Sequence, residues 1–403
     1  MSNLDSLSPA VVDFLLSDVA QAASAELLQT GWDDDNPLPA LNALRRRFAP
    51  DEAGALLTLA QQRARGRAKF PQADRLYFTP EALEQATAWP VALHRAQHFD
   101  RAAPPGVVLD LGCGVGGDTL ALAQYRPVIA YERNAVRLRF AAANARALGL
   151  AGRVEFRGGD WTEDLANGRL PQAAAAFVDP SRRVDGRRVF SLQRMQPPLA
   201  TLLHLNAHIP ALGVKVMPGV DERELPAGCG VEFISHEGTC KEAVLWFGAP
   251  AQHPRWASVH DGARWHALVA SGAAPPAGPL APGMILYEPD PAVIRAGAFV
   301  ELCDLLHAHL FDAQIAYLVA DELTRSPLAA PFRLLEVEPF SLKRLNARLA
   351  ARQIGSVELK KRGAPFAPED LRRRIKLHAG GQPAVVIFTR RGDQPLMLLA
   401  ARP

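Results

Sequence analysis

The sequence predicts an α/β protein: a mostly parallel sheet of seven strands closed by an antiparallel hairpin, preceded by a helical region and followed by a small α/β domain. Three observations predict it. Short apolar runs alternate with alanine-rich helical stretches between about residues 104 and 248, the pattern of βα units around a parallel sheet. The last two apolar runs there, VEFISHE and EAVLWFG, are separated only by GTCK, too short for a helical crossover and therefore a hairpin. Residues before 100 and after 330 carry other periodicities.

The N-terminal region reads as helical because apolar residues recur three and four apart in VVDFLLSDVAQAASAELL and again in AGALLTLAQQRARGRAKF. In FTPEALEQAT a helix start is explicit: Thr79 caps, Pro80 suits the first turn and Glu81 complements the positive helix end. The strands follow as VVLDL (107–111), VIAYE (128–132), RVEFRGGD (153–160), AAAAFVDP (173–180) and GVKVMPG (213–219), with DTLALAQ and NAVRLRFAAANARALG as intervening helices. After the closing hairpin, RWASVHDGARWHALVA predicts a further hairpin on a type I′ turn at Asp261-Gly262. In SGAAPPAGPLAPGMILYEPDP nine of 21 residues are Pro or Gly, the density of a linker or loop-rich junction. A helical stretch, AVIRAGAFVELCDLLHAHL, leads to FRLLEVEPF, a helix in SLKRLNARLAARQ, GSVELKKRG, a helix in PEDLRRRIK and a closing hairpin. The expected organisation is residues 1–100 helical, 101–250 the sheet domain, 251–330 hairpin, junction and helices, and 331–403 the basic α/β domain.

Composition excludes several classes. The chain has 403 residues, 48% hydrophobic and 22% charged, an ordinary globular balance for two or three domains. No apolar run approaches the roughly 20 residues of a membrane span, and the acidic N-terminus lacks the basic start of a signal peptide, so a soluble cytoplasmic protein is expected. Cys113, Cys229, Cys240 and Cys303 form no zinc-like spacing, so no metal is expected.

Chemistry concentrates in LDLGCGVGGDTLALA. Gly112-x-Gly114-x-x-Gly117 follows a strand and opens a helix, where backbone N–H groups approach a ligand. Dinucleotide and S-adenosylmethionine (SAM) folds both use such loops. Asp110 ends the first strand, where a carboxylate suits a methionine ammonium group, and the antiparallel ending departs from doubly wound dinucleotide sheets; together they favour SAM. Glu132 ends the second strand 22 residues after Asp110, placed to accept the ribose hydroxyls. Asp160-Trp161 closes the third strand, suited to the adenine amine and ring, with Trp161 equally readable as core. Cys113 lacks a base nearby in sequence and reads as a small filler rather than a nucleophile.

At these residues a resemblance becomes specific. The glycine loop together with VIAYERNAVRLRFAAANARALGLAGRVEFRGGDW is similar to class I SAM-dependent methyltransferases of the RNA cap guanine-N2 (trimethylguanosine synthase-like) group, with a Rossmann-like core. The whole chain resembles a bacterial family joining such a core to a C-terminal THUMP-like domain, through KFPQADRLYFTPEALEQAT, DPSRR and VELKKRG. The resemblance implies RNA methylation and cofactor contacts from Asp110, Gly112, Cys113, Gly114, Gly116, Glu132, Arg133, Asp160, Trp161 and Asp179. It implies a catalytic corner at Asp179, Pro180, Ser181 and Arg182, where a carboxylate and the following carbonyl accept the two hydrogens of a base amine. Guanine-N2 and adenine-N6 enzymes usually continue with a second proline and an aromatic; here Ser181, Arg182 and Arg183 stand instead, and an arginine plane stacks on a base or forks onto phosphate.

Charge segregates. Residues 341–376 hold eleven Lys or Arg against three Asp or Glu, a net +8, while the rest of the chain carries −5. Lys360, Lys361 and Arg362, with Arg372, Arg373 and Arg374, are the densest runs of an expected RNA-binding face, which also draws on Arg183; RARGRAK (63–69) adds a further basic run. Structured RNA is the expected partner. The alternatives are a noncatalytic SAM-responsive RNA-binding protein and a methyltransferase for a small molecule or protein.

Overall fold

In a computed structural model, residues 4–33, 35–180, 183–184, 187–188 and 191–403 are described. The chain divides into two compact units, 1–230 with 244–252, and 231–243 with 253–403.

The first unit opens with helices α1 (Pro9–Leu16), α2 (Asp18–Thr30), α3 (Leu38–Arg45), α4 (Pro50–Gly66), α5 (Pro80–Gln85) and α6 (Trp89–Ala102). The single amphipathic stretch expected at 11–28 is broken at Ser17, whose extended backbone ends α1 and whose hydroxyl accepts from the Ala20 N–H to start α2. A local side-chain bond of this kind competes with helix continuation. At α5 the expected start holds: Thr79 accepts from the Ala82 N–H at 3.1 Å.

Strands β1 (Val108–Leu111), β2 (Val128–Glu132), β3 (Val154–Gly158), β4 (Ala175–Val178) and β5 (Ala211–Val216) follow, with helices α7 (Gly117–Leu122), α8 (Ala135–Ala147), α9 (Trp161–Ala166) and α10 (Leu199–His208) between them. The five strands pair in parallel in the order β5-β4-β1-β2-β3. β1, β4 and β5 are buried along their whole length, as expected of strands covered on both faces. Phe99 of α6 packs edge-on against Trp246 at 5.0 Å, and buried Arg95 lies 4.5 Å over the Phe177 ring while pairing with Asp118.

The closing hairpin consists of β6 (Gly230–His236) and β7 (Thr239–Gly248), with β7 next to β5 in the sheet order. Its turn is Glu237-Gly238, both at positive φ (53° and 67°), so Thr239, Cys240 and Lys241 of the expected connector belong to the strand. Two residues at positive φ match the twist of a hairpin.

In the second unit β8 (Arg255–His260) pairs in parallel with β6 and antiparallel with β9 (Trp265–Val269), extending the expected seven strands by two. The β8–β9 connection is not the expected two-residue I′ turn. Gly262 has positive φ, but Asp261 does not; its carboxylate instead accepts from the N–H groups of Ala263 and Arg264 and from His266. Those bonds hold it well below the usual carboxylate range.

The passage read as a junction ends in strand β10 (Ile285–Pro289), whose Ile285, Leu286 and Tyr287 are fully buried. Helices α11 (Pro291–Ala296) and α12 (Phe299–Leu306) part at Gly297, φ 72°. Then come β11 (His309–Leu310), β12 (Leu318–Ala320), β13 (Ala329–Pro339), α13 (Leu342–Ala351), β14 (Ile354–Lys361), α14 (Pro368–Arg372), β15 (Gln382–Arg391) and β16 (Gln394–Ala401). The sheet runs β11-β12-β10-β13-β16-β15-β14, so β10 joins it although Pro and Gly crowd the segment before it. Leu286, Phe332, Ile387 and Leu398 fill one side of it, and Leu349, Val386 and Phe388 the other. Among the described residues, no helix is long and apolar enough to cross a membrane.

Candidate functional site

The glycine loop joins β1 to α7 with Gly112, Gly114 and Gly116 all at positive φ (97°, 57° and 90°), a backbone that L-residues with side chains rarely adopt. Around Gly114 the loop is open: a Cβ built there meets no atom within 4 Å. The Gly114 N–H donates to Glu132 Oε2 at 2.9 Å, while Glu132 Oε1 accepts from the Asn134 N–H at 2.8 Å. Asn144 of α8 clips the far side, donating to the carbonyls of Val115 and Tyr77 and accepting from the Tyr77 N–H. The N-terminal helical region thereby becomes a wall of the loop.

Beneath the loop Asp110 is 2% exposed and accepts from the Thr119 hydroxyl. Burial, and next the charge of Asp118, push its carboxyl up to about 7; Thr119 and Arg95 act in the opposite direction. Cys113 is buried, and burial holds its thiol far above the usual range, which disfavours the thiolate form. All four cysteines are free.

At the tip of β3, Asp160 caps α9, accepting from the N–H and hydroxyl of Thr162 at 2.9 and 2.7 Å, with Arg133 at 3.3 Å from its other oxygen. Partial burial raises its pKa, but the Thr162 bonds outweigh it and hold the carboxylate below the usual range. Arg133 is exposed and Trp161 is 6% exposed.

Asp179 follows β4 directly. Its backbone carbonyl lies 3.9 Å from where a Cβ of Gly112 would stand, so the strand-four tip adjoins the glycine loop. Asp179 Oδ2 accepts from Lys215 Nζ at 2.7 Å, and Oδ1 has no partner among the described residues. Lys215, on β5, also donates to Thr87 Oγ1 at 3.1 Å. Neither Lys215 nor Thr87 was singled out by the sequence; a lone lysine in the apolar run GVKVM was the only signal. Pro180 is buried. Ser181 and Arg182 lie outside the described residues; of Arg183 only the backbone is described, in a short ladder of Arg183–Val184 with Arg187–Arg188.

The loop and the tips of β1 to β4 thus gather Asp110, Gly112, Gly114, Gly116, Glu132, Asp160 and Asp179 into one arrangement. An open glycine cradle flanked by carboxylate acceptors suits a ligand rich in hydrogen-bond donors. The ammonium group, ribose hydroxyls and adenine amine of SAM fit that donor set. Among the described residues no group of three or more His, Cys, Asp or Glu could hold a metal ion.

The basic residues of the second unit separate into two kinds. Lys360 is 2.6 Å from Glu288 and 3.4 Å from Glu358, over the Phe332 ring, and Arg362 is 3.8 Å from Glu288, over Tyr317. Lys361 is exposed. Arg372, Arg373, Arg374 and Lys376 are exposed and form no ion pair among the described residues, as are Lys343 and Arg344 of α13. Asn346 joins the two groups, donating to the Arg374 carbonyl at 3.0 Å and accepting from the Lys376 N–H at 2.9 Å. In the basic run at 63–69, Arg65 is exposed, while Arg63, Arg67 and Lys69 are engaged within the fold. Arg63 is 1% exposed and binds the Leu76 carbonyl, Ser24 and Gln21; Arg67 pairs with Asp74; Lys69 donates to the carbonyls of Leu83, Glu84 and Ala86.

Residues 105–201 match the model of the RNA cap guanine-N2 methyltransferase family, and residues 329–402 match the THUMP domain-like family. An uncharacterized S-adenosylmethionine-dependent methyltransferase of Mycobacterium tuberculosis, found in strains CDC 1551 / Oshkosh and H37Rv, is 34% identical over 330 residues. The match covers 80% of this chain and 87% of the relative. In fold, the chain is similar to the crystal structure of a methyltransferase candidate from Porphyromonas gingivalis W83, at TM-score 0.73 and 20% identity, covering 98% of this chain and 99% of that one.

Proposed function

Because the chain belongs to the S-adenosylmethionine-dependent methyltransferases, with a cap guanine-N2 methyltransferase-type core and a THUMP-like C-terminal domain, we propose that it methylates RNA on an exocyclic base amine held at Asp179. The observation that carries this reading is the meeting of Asp179 with the glycine loop: a carboxylate with one oxygen unpartnered among the described residues, its backbone carbonyl beside Gly112.

SAM, when bound, supplies an electrophilic methyl group and departs as the neutral sulfide. The chain's residues do the rest. Glu132 accepts ribose hydroxyls, the Oδ2 of Asp160 accepts the adenine amine beside Trp161, and the buried Asp110 contributes negative potential beneath the ammonium end. Asp179 Oδ1 and the carbonyl of Pro180 accept the two hydrogens of the base amine, aligning its lone pair with the methyl group. One amine proton then passes through Asp179 to water. Positioning supplies most of the catalysis, and no strong base is needed. The exposed Lys343, Arg344, Lys361, Arg372, Arg373, Arg374 and Lys376 hold RNA through its phosphates. The same reading assigns Ser181 and Arg182, which lie outside the described residues, to the catalytic step and Arg183 to RNA binding.

Transfer of tritiated methyl from SAM into total RNA of a strain lacking the gene, followed by nucleoside mass spectrometry, tests this reading. A base-amine product such as N2-methylguanine is expected. Label entering a small molecule or protein without RNA would replace RNA as substrate, and SAM and RNA affinity without any transfer would replace catalysis by a binding role.

A further inference from the structure

β5 has the sequence ALGVKV and all six residues are buried. In it Lys215 is 4% exposed, and an isolated ammonium there is strongly disfavoured. The β4–β5 register explains its position. Phe177 pairs with Gly213 and Val178 with Val214, so one further step sets Lys215 beside Asp179. The ammonium is held between Asp179 Oδ2 at 2.7 Å and Thr87 Oγ1 at 3.1 Å. Thr87 is itself on a fixed frame: it follows the end of α5, where Lys69 Nζ gathers the carbonyls of Leu83 and Glu84 and of Ala86, the residue just past the helix, at 2.7, 2.9 and 2.8 Å. The pair is lopsided, with the lysine side chain sealed at 4% and the aspartate side chain 30% exposed.

We propose that Lys215 is the positioning residue for methyl transfer: anchored by Thr87, it pins Oδ2 of Asp179 so that Oδ1 alone meets the acceptor amine. The proposal rests on the reading of Asp179 as amine acceptor. Two physical consequences follow. A pinned carboxylate cannot rotate to offer either oxygen, which fixes the angle at which the amine is received. The lysine charge also offsets that of Asp179, so the aspartate does not clamp the cationic donor in its ground state, where binding would not speed the reaction.

The test uses the full-length protein, single-turnover transfer of tritiated methyl into total RNA of a strain lacking the gene, and SAM affinity by calorimetry. Lys215→Met is expected to slow transfer about tenfold or more while SAM affinity stays equal or tightens. Lys215→Arg recovers part of the rate, and Lys215→Met adds no further loss in the Asp179→Asn background. Should Lys215→Met fail to fold, Thr87→Val, which removes the second anchor of the ammonium, is expected to show the same split with a smaller loss. A wild-type rate in Lys215→Met, or a loss that adds in full to that of Asp179→Asn, overturns the role of Lys215. Asp179→Asn at the wild-type rate, or a wild-type protein that transfers nothing to this RNA, overturns the reading of Asp179 beneath it.

Discussion

Glu132 grips the glycine loop through the Gly114 N–H, 2.9 Å from Oε2. The same carboxylate is proposed to take the ribose hydroxyls, so one side chain shapes the cradle and contacts its occupant. Glu132→Ala should weaken SAM binding by about 1–3 kcal/mol, with Glu132→Gln intermediate because its amide oxygen still accepts from Gly114. Calorimetry on the folded variants decides it; unchanged affinity in Glu132→Ala removes Glu132 from the ribose site.

Gly114 itself separates backbone strain from occupancy. At φ 57° an alanine is tolerated at a cost of roughly 1–2 kcal/mol, and its Cβ meets no protein atom within 4 Å. Gly114→Ala is therefore expected to fold with a modest fall in melting temperature while SAM affinity drops about tenfold or more, because the methyl enters the space the ligand needs. Affinity equal to wild type would mean that this open side of the loop is not where the ligand sits.

The strands and the glycine loop were legible because burial on both faces writes continuous apolar runs, and because glycines at positive φ leave a spacing that side chains cannot imitate. What was missed depends on partners distant in sequence. Lys215 looks like an interruption of GVKVM until Asp179 and Thr87, 36 and 128 residues away, close on it. Arg63 and Lys69 look like a phosphate-binding run until folding points Arg63 inward and turns Lys69 onto carbonyl oxygens. The strand at Ile285–Pro289 was hidden because its strand-forming residues follow a Pro and Gly cluster, and periodicity is weak over five residues.

The two basic runs of the second unit should separate experimentally. Replacing Arg372, Arg373 and Arg374 together by Gln is expected to weaken RNA binding and make the plot of log affinity against log salt shallower by about 2–3, near 0.7–0.9 for each lost phosphate contact. Replacing Lys360 and Arg362 leaves Glu288 without its two cations, so the melting temperature should fall while the slope changes little. Filter binding between 50 and 300 mM salt, on the order used for such slopes, reads both. A slope unchanged in the triple variant would move the RNA face elsewhere.

The buried carboxyl of Asp110 gives a pH dependence whose sign is fixed by its surroundings. Burial, then Asp118 and Asp179, favour its protonated form, against Thr119 and Arg95, and its pKa stands at about 7 against 3.8 for a free aspartate. The folded state therefore holds a proton that the unfolded chain has released. Its contribution to stability is fully present below about pH 4, declines as pH rises, and is gone above about 7, amounting to a few kcal/mol as an upper bound. The ligand-free protein should melt at higher temperature near pH 5.5 than near pH 8 by a margin that shrinks in Asp110→Asn, whose amide does not titrate. SAM adds a second signature. A cationic group above the loop draws Asp110 into its charged form, so binding near pH 7 should release more protons in the wild type than in Asp110→Asn, measured by calorimetry in buffers of differing ionisation enthalpy. Equal proton release would mean that the ammonium end of the ligand lies too far from Asp110 to sense it.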